Sequence, residues 1–293
     1  MIRVVMLGRL GNNLFQYAFG RMLSEKHGVP LQMDASWFNE KTWPYVSPLR
    51  QLLGIRENKA TVVRPFSIAS RALVKITRKH HWEYLGLPVV RETEDDHSFD
   101  ARLLDAPADC VVFGYFQSHL YFKPIEQAIR KELDTSQLGL EVGHETLAAK
   151  LRDPLSVAVH VRRTDYLLNT DIASLGLDYY HRAMEKIRDE IENPRFYIFS
   201  DDPEWCASVF KEPDIFVTRH SDPFSPLTDL HLMSLASHHI IANSSYSWWA
   251  AWLGAKNNQR VLMPDSWFKQ GIKAPVSEKA ADSWELIAVH GNE

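Results

Sequence analysis

The sequence predicts an α/β protein of two domains with parallel strands, and three observations support this. The chain has 293 residues, which favours two domains of about 150 residues each. Residues 2–34 have the pattern of a compact strand–helix–strand unit. Residues 156–161 are mostly apolar and β-branched, as in a strand buried on both faces of a parallel sheet. Because Pro154 ends the preceding helical segment, we expect domains at residues 1–153 and 154–293.

Composition indicates an ordinary soluble protein. Hydrophobic residues make up 45% of the chain and charged residues 24%, which is usual for globular domains. The net charge of −4 gives no general attraction for polyanions, so no nucleic-acid partner is expected. Both cysteines, Cys110 and Cys206, are interpreted as buried thiols of a reducing compartment. No signal peptide or long apolar run occurs, so we expect a cytoplasmic protein, with peripheral attachment at the inner face of the membrane left open.

The first unit is predicted from a strand, a glycine loop, a helix and a second strand. The loop Gly8–Asn12 opens the helix, so the backbone N–H groups of Gly11 and Asn12 could meet an anion. Asp34 ends the second strand, where a dinucleotide-binding protein carries a carboxylate for the ribose. Only Gly8 and Gly11 of the fingerprint G-x-G-x-x-G are present. An NAD-dependent oxidoreductase is therefore a competing interpretation.

Residues 35–110 give weaker signals than the segments on either side. Trp37 belongs to an aromatic, proline-punctuated loop that forms either loop packing or one wall of a carbohydrate site. The excess of Lys and Arg between residues 56 and 79 indicates either a solvated helix face or a site for an anionic or membrane-held acceptor. Cys110–Phe116 has the pattern of a strand, a helix follows from Pro124, and residues 134–153 are predicted to be helical.

Charged side chains crowd the end of the strand at residues 156–161. His160, Arg162, Arg163 and Asp165 all lie there. In open α/β sheets ligands bind at the carboxyl ends of strands, and guanidinium groups bind phosphate or carboxylate oxygens in pairs. The pattern therefore predicts an anionic ligand. The alternative is an Arg–Asp ion pair that closes the strand end.

Two more strand ends of the second half carry polar residues. Asp201 and Asp202 follow a predicted strand, and one of them either binds a ligand or caps the next helix. Asn243, Ser244 and Ser245 follow the last strong strand and begin a helix, where they act as ordinary caps or offer hydroxyl and N–H groups to a phosphate. The predicted elements are a helix at 178–192, a strand at 195–200, a weak strand at 216–217, a helix from 228, a strand at 239–242 and a tryptophan-rich helix after it.

Five segments follow one another along the chain: LGRLGNNLFQYA, GYFQSHLYF, HVRRTDY, FSDD and IIANSSYSWWAAWL. In this order they resemble the bacterial α-1,2-fucosyltransferases of glycosyltransferase family 11, and more distantly the α-1,6- and protein O-fucosyltransferases. The resemblance implies a GT-B-like fold, in which two Rossmann-like domains face each other across a cleft. The chain departs from the family pattern at Arg9, Asn13, Thr164 and Ala250, where Gly, Gln, Gly and Gly are common.

The resemblance also implies an activity. It implies an inverting galactoside 2-α-L-fucosyltransferase that moves L-fucose from GDP-β-L-fucose to a galactoside hydroxyl of an O-antigen, H-type or Lewis-type glycan. It implies no metal and no other cofactor. The acceptor is a β-galactoside-terminated glycan, lipid-linked or not, and the oligomeric state is left open. A non-catalytic nucleotide-sugar-binding protein on the same fold is a further alternative.

The resemblance assigns roles to individual residues. The C-terminal domain is expected to hold the donor and the N-terminal domain most of the acceptor site, with Asp34 and Trp37 as acceptor candidates. Asp171 is the first candidate for the catalytic base, with Asp34, Asp165 or no base as alternatives. The donor candidates are Arg162 at the β-phosphate, His160 and Asp202 near guanine, Asn243, Ser244 and Ser245 at the pyrophosphate, Arg163 and Asp165 supporting the strand end, and Gly11 and Asn12 in the glycine loop.

Overall fold

The chain forms two compact units, Met1–Leu133 and Asp134–Glu293. The structure is a computed structural model that describes residues 1–36, 38, 47–54, 60–63, 86–92, 98–139, 141–164, 175–219, 226–268 and 275–289. In the described part of the chain no helix has the length and apolar character needed to cross a bilayer.

The first unit is built on five parallel strands with the order β3-β2-β1-β5-β4. The direction in which the chain adds strands reverses between β1 and β5, so the carboxyl ends of these two strands flank a topological switch point. The described elements are β1 Ile2–Val5, α1 Leu10–His27, β2 Leu31–Asp34, α2 Ser47–Gly54, β3 Thr61–Val63, β4 Val89–Arg91, β5 Cys110–Phe113 and α3 Glu126–Glu132.

Helix α1 begins at the glycine loop that the sequence predicts. Gly8 has a φ of 72°, and a Cβ atom there would lie 2.3 Å from Asn12 Nδ2. Glycine is therefore needed at position 8 both for the backbone conformation and for the close approach of Asn12. At the other end, Gly28 has a φ of 62° and its N–H bonds the Glu25 carbonyl, which confirms the predicted C-cap.

The second unit is built on six parallel strands with the order β11-β10-β9-β6-β7-β8. The direction reverses between β6 and β9, which places a second switch point at their carboxyl ends. The described elements are α4 Glu145–Leu151, β6 Ser156–Val161, α5 Leu177–Glu190, β7 Arg195–Ser200, α6 Pro203–Val209, β8 Ile215–Val217, α7 Pro226–Leu235, β9 His238–Ile240, α8 Ser245–Leu253, β10 Val261–Pro264 and β11 Glu285–Ile287.

Strand β6 is the centre of the second unit, as its apolar sequence predicts. All six of its residues are buried. Helix α5 covers β6 with an apolar face at helical spacing, and Tyr179, Ala183 and Ile187 belong to the same buried cluster as Val157 and Val159. The tryptophans of α8 are also buried, as predicted. The strand that carries the charged residues is therefore held on both sides by apolar packing.

The segment before β6 differs from its predicted form. Residues 134–153 are predicted to be helical throughout, but the described part contains only a short 3₁₀ turn, Ser136–Leu138, and α4. Gly139 and Gly143 interrupt it because both adopt positive φ, 63° and 81°. Helix α4 packs on α7 and β6 of the second unit. The two units divide between Leu133 and Asp134, so position 153, where the sequence predicted a boundary, lies inside the second unit.

Candidate functional site

The carboxyl ends of β6 and β9 meet the first turn of α8 at the second switch point. Val159 pairs with Ile240 across the two strands. The rings of His160 on β6 and Tyr246 on α8 have centroids 5.6 Å apart, and the Tyr246 hydroxyl donates to the Pro226 carbonyl at 2.6 Å. These contacts bring the end of β6 and the N-terminus of α8 to one place.

Arg162 lies directly after β6 and pairs with Asp201, which lies directly after β7. Arg162 Nη1 is 3.1 Å from Asp201 Oδ2, and each of the two side chains retains about one-fifth of its exposure, 19% and 18%. The Asp201 carboxylate also accepts hydrogen bonds from the Arg163 N–H at 2.9 Å, the Thr164 N–H at 3.3 Å and the Thr164 hydroxyl. Asp201 therefore joins the ends of β6 and β7 and fixes one side of the Arg162 guanidinium, while that guanidinium stays accessible to a ligand.

Arg163 and Asp202 make a second, separate set of contacts. The Arg163 guanidinium carbon lies 3.5 Å from the centroid of the Trp205 ring, and Arg163 Nε is 3.3 Å from Asp202 Oδ2. Asp202 Oδ1 accepts from the Trp205 N–H at 3.2 Å and so caps α6. Asp202 is therefore the residue that caps α6, and Arg163 contacts both Asp202 and Trp205 at the start of the same helix.

His160 is buried with a neutral ring. It retains 5% exposure, and in the described part of the chain its Nδ1 atom has no hydrogen-bond partner. Burial is the main cause that lowers the pKa of His160 to about 3; the positive charge of Arg162 acts in the same direction and Asp201 in the opposite one. At neutral pH the ring therefore offers one acceptor nitrogen and one donor nitrogen beside the Arg162 cation.

The polar turn after β9 begins a helix without the usual cap. Ser244 is the N-cap residue of α8, with an extended φ of −133°, and its side chain makes no capping hydrogen bond. Asn243 is buried and its Nδ2 donates to the Trp267 carbonyl at 3.0 Å. The N–H groups and positive end of α8 are therefore directed to the same strand ends as Arg162, an arrangement that suits a phosphate.

In the first unit, the predicted residues lie at the carboxyl ends of β1 and β2. Gly11 and Asn12 occupy the first turn of α1, and Asn12 Oδ1 accepts from Gln117 Nε2 at 2.8 Å. Asp34 is fully buried, and its Oδ1 accepts from the Ser36 N–H at 2.9 Å. Trp37, Asp165 and Asp171 lie outside the described residues.

Sequence reasoning missed Asp201 and Tyr246. Adjacent aspartates after β7 gave no sign of which one faces β6, and Tyr246 was part of a serine-rich helix start. Among the described residues, no group of three or more His, Cys, Asp or Glu side chains is placed to hold a metal ion.

Two buried histidines of the second unit, His160 and His239, give the stability of the protein a defined pH dependence. Each of these two histidines has a pKa lowered to about 3, mainly by burial; for His239, Lys256 and His238 act in the same direction as burial and the Met233 carbonyl opposes it. The unfolded chain binds protons near the ordinary histidine pKa of about 6.5, so between these values it binds more protons than the folded chain. The contribution of the two neutral rings to the free energy of unfolding is then fully present above pH ~6.5, and it decreases as the pH drops toward 3.

We therefore expect the thermal midpoint to fall by several degrees between pH 7.5 and pH 5, measured by calorimetry. In a His239→Gln variant the midpoint should be lower at pH 7.5, because the histidine ring bonds the Met233 carbonyl and Gln259, and should fall less on acidification. Parallel midpoint curves for the two proteins would show that His239 does not titrate in this range.

Comparison with known proteins gives one family. The model of Glycosyl transferase family 11 matches residues 1–285. An α-1,2-colitosyltransferase of Escherichia coli is 28% identical over 279 residues, 90% of this chain and 91% of that protein. The O-antigen biosynthesis glycosyltransferase WbnK of Escherichia coli is 35% identical over 134 residues, 44% of this chain and 43% of that protein. Galactoside α-(1,2)-fucosyltransferase 1 of Rattus norvegicus is 24% identical over 313 residues, 95% of this chain and 75% of that protein.

Solved structures agree with this at the level of the fold. NodZ α-1,6-fucosyltransferase from Bradyrhizobium, soaked with GDP-fucose, has a TM-score of 0.50 and 16% identity over 86% of this chain and 92% of that chain. The ADP-heptose LPS heptosyltransferase II of Escherichia coli has a TM-score of 0.51 and 10% identity over 98% of this chain and 89% of that chain. Together with the two parallel sheets, these likenesses confirm the expected GT-B-like α/β fold.

Proposed function

Because the chain belongs to glycosyl transferase family 11 and is a glycosyltransferase, we propose that it is an inverting α-1,2-fucosyltransferase. The donor is GDP-β-L-fucose, and the acceptor is the 2-hydroxyl of a β-galactoside at the end of an O-antigen, H-type or Lewis-type glycan. The observation that carries the proposal is the Arg162 guanidinium, fixed by Asp201 beside the N-terminus of α8. The oxidoreductase interpretation is wrong, since the family whose model matches residues 1–285 transfers glycosyl groups.

In the proposed reaction, the acceptor hydroxyl attacks the anomeric carbon of fucose while GDP leaves. Positive charge develops on the sugar and negative charge on the β-phosphate. Arg162 holds the β-phosphate, and Ser244 and Ser245 with the N–H groups of α8 hold the pyrophosphate, as Asn243 orients the turn. Preorganised donors of this kind stabilise a leaving phosphate electrostatically, so the proposal needs no metal ion and no other cofactor.

The remaining donor and acceptor roles are also proposals. We assign His160 and Asp202 to the guanine end of the donor; the ring of His160 is neutral, and its Nδ1 has no partner among the described residues. We assign Arg163 and Asp165 to the support of the end of β6. Asp171 is the proposed base, with Asp34 and Asp165 as alternatives. On the first unit, the N–H groups of Gly11 and Asn12 contribute to the donor, and Asp34 and Trp37 to the acceptor, which is lipid-linked or free.

A second donor sugar has a specific observation in its favour. The colitosyltransferase of Escherichia coli matches this chain over nine-tenths of both proteins. Colitose is L-fucose without the 3-hydroxyl group, so the two donors differ only in one hydroxyl. A site that hydrogen-bonds the 3-hydroxyl selects fucose strongly, because a donor without it leaves a polar group of the protein unpaired.

The test is GDP release by the purified protein from GDP-fucose and from GDP-colitose, with EDTA present. The acceptor panel contains lactose, N-acetyllactosamine and Galβ1-3GalNAc, and the linkage of each product is determined by NMR. Turnover of GDP-fucose in EDTA with an α-1,2 product supports the proposal, and faster turnover of GDP-colitose moves it to the second donor. Binding of GDP without transfer to any acceptor would leave the non-catalytic alternative in its place.

A further inference from the structure

The segment Gly114–Gln117 follows β5 at the switch point of the first sheet, and the reaction proposed above assigns it no role. Its backbone is unusual: Gly114 has a φ of 156° and Phe116 a φ of 53°. A bulky aromatic residue rarely adopts positive φ, and such strain persists where the surroundings impose it, commonly at functional sites. The segment is therefore held in this conformation by specific contacts.

Glu92 supplies those contacts. Its carboxylate, in a residue with 7% exposure, accepts the Tyr115 N–H at 2.7 Å and the Phe116 N–H at 2.9 Å. From the other side, Gln16 Nε2 donates to the Gly114 carbonyl at 2.9 Å. A Cβ atom at Gly114 would lie 2.5 Å from Glu92 Cβ, so glycine is needed for the carboxylate to approach.

These contacts orient the side-chain amide of Gln117. The side chain is half-buried, and Nε2 donates to Asn12 Oδ1 at 2.8 Å across the gap between the β1 and β5 loops. This is the one side-chain hydrogen bond that Gln117 makes with the residues the structure describes. The amide carbonyl and the second N–H thus remain for a ligand at the carboxyl edge of the sheet, where ligands of such folds bind.

We propose that Gln117 is a specificity-determining residue that binds a hydroxyl group of the acceptor sugar, and that Asn12 and Glu92 are its positioning residues. The inference rests on the proposed fucosyltransferase function. A fixed amide is uncharged and offers a donor and an acceptor together, as a sugar hydroxyl requires. The anionic part of the donor is instead matched by Arg162 and the helix start in the second unit.

The first test is the Gln117→Ala variant, with lactose as acceptor, or N-acetyllactosamine where lactose is not turned over. We expect the acceptor KM to rise about tenfold, as for one lost hydrogen bond to a sugar, with the Kd for GDP unchanged within about twofold by calorimetry. Glu92→Gln should raise the acceptor KM in the same way, because it disturbs the loop. The matched control is Gln32→Ala, which removes an amide of the same sheet that accepts from Arg3 and should leave both constants unchanged.

The second test pairs the variant with acceptors that lack one galactose hydroxyl, at position 3, 4 or 6. The wild-type protein should lose about tenfold in kcat/KM with one of these deoxy acceptors, and Gln117→Ala should lose no more than about twofold with that same acceptor. Equal losses in the two proteins, an unchanged acceptor KM, or a weaker GDP complex in the variant would each overturn the inference. If one of these results is obtained and the wild-type protein still transfers fucose, the role of Gln117 is overturned while the proposed fucosyltransferase function stands. If the wild-type protein transfers no fucose, the proposed function itself has failed.

Discussion

Replacing Arg162 with alanine is expected to lower kcat for GDP release in the presence of acceptor by about 10²- to 10³-fold, the usual cost of removing one charge-matched donor from a transition state. In the proposed reaction the β-phosphate gains negative charge as the fucosyl bond breaks, and Arg162 is the cation that Asp201 holds at this strand end. The acceptor KM should change little, because the lost interaction is to the leaving group. Steady-state kinetics with GDP-fucose and EDTA measure both quantities.

Two further variants make this result specific. Arg162→Lys keeps the positive charge but loses the planar fork, so it should recover only part of the rate. The matched control is Arg188→Ala, which removes an arginine paired with Asp214 at 2.8 and 3.0 Å beside the opposite, amino-terminal end of β8. Its kcat should stay within about twofold of wild type. An Arg162→Ala enzyme that keeps most of its rate would remove Arg162 from the proposed transition state.

The sequence predicted the strands that carry the second-unit site better than it predicted the contacts within it. The run Ser156–Val161 is mostly apolar and all six of its residues are buried, and the charges after it mark a carboxyl strand end without knowledge of the fold. Which aspartate after β7 meets Arg162 depends on strand register, since Val161 pairs with Ser200 and so sets Asp201 beside Arg162. Register is a tertiary property, and the adjacent pair of aspartates does not encode it locally.

The first unit shows a different limit. Strands β3 and β4 have three residues each and lie at the sheet edges, so neither is long enough to show a two-residue period. In the second unit, strand β10 is likewise short: it is apolar and buried but has only four residues and ends in proline, so it also gave no signal. Because β4 was not predicted, no pattern connects Glu92 with the loop 114–117, more than twenty positions later.

Replacing Asp201 with asparagine is expected to lower kcat by about 10²-fold, the loss that a displacement of about 1 Å causes at a catalytic group. Asp201 Oδ1 accepts from the Arg163 N–H and Oδ2 from the Thr164 N–H, and Oδ2 also faces Arg162. An amide NH₂ in place of one oxygen meets donors, which costs about 1–3 kcal/mol for each group left unsatisfied. Arg162 loses the negative charge of Asp201 beside it and shifts from the β-phosphate, so the Kd for GDP should rise together with the fall in kcat.

The control for this variant is Asp214→Asn, since Asp214 is likewise a carboxylate paired with an arginine, Arg188, in the same unit. It should lower the thermal midpoint slightly and leave kcat and the Kd for GDP unchanged. The Asp202→Asn variant distinguishes the two neighbouring carboxylates. It should lower stability by about 1 kcal/mol, because Asp202 caps α6. If Asp202 also contacts guanine, the variant should bind GDP with less preference over ADP than the wild-type protein does. If Asp201→Asn is as active as Asp214→Asn, the prediction fails. Asp201 then joins the ends of β6 and β7 without positioning Arg162, and other groups hold the Arg162 guanidinium.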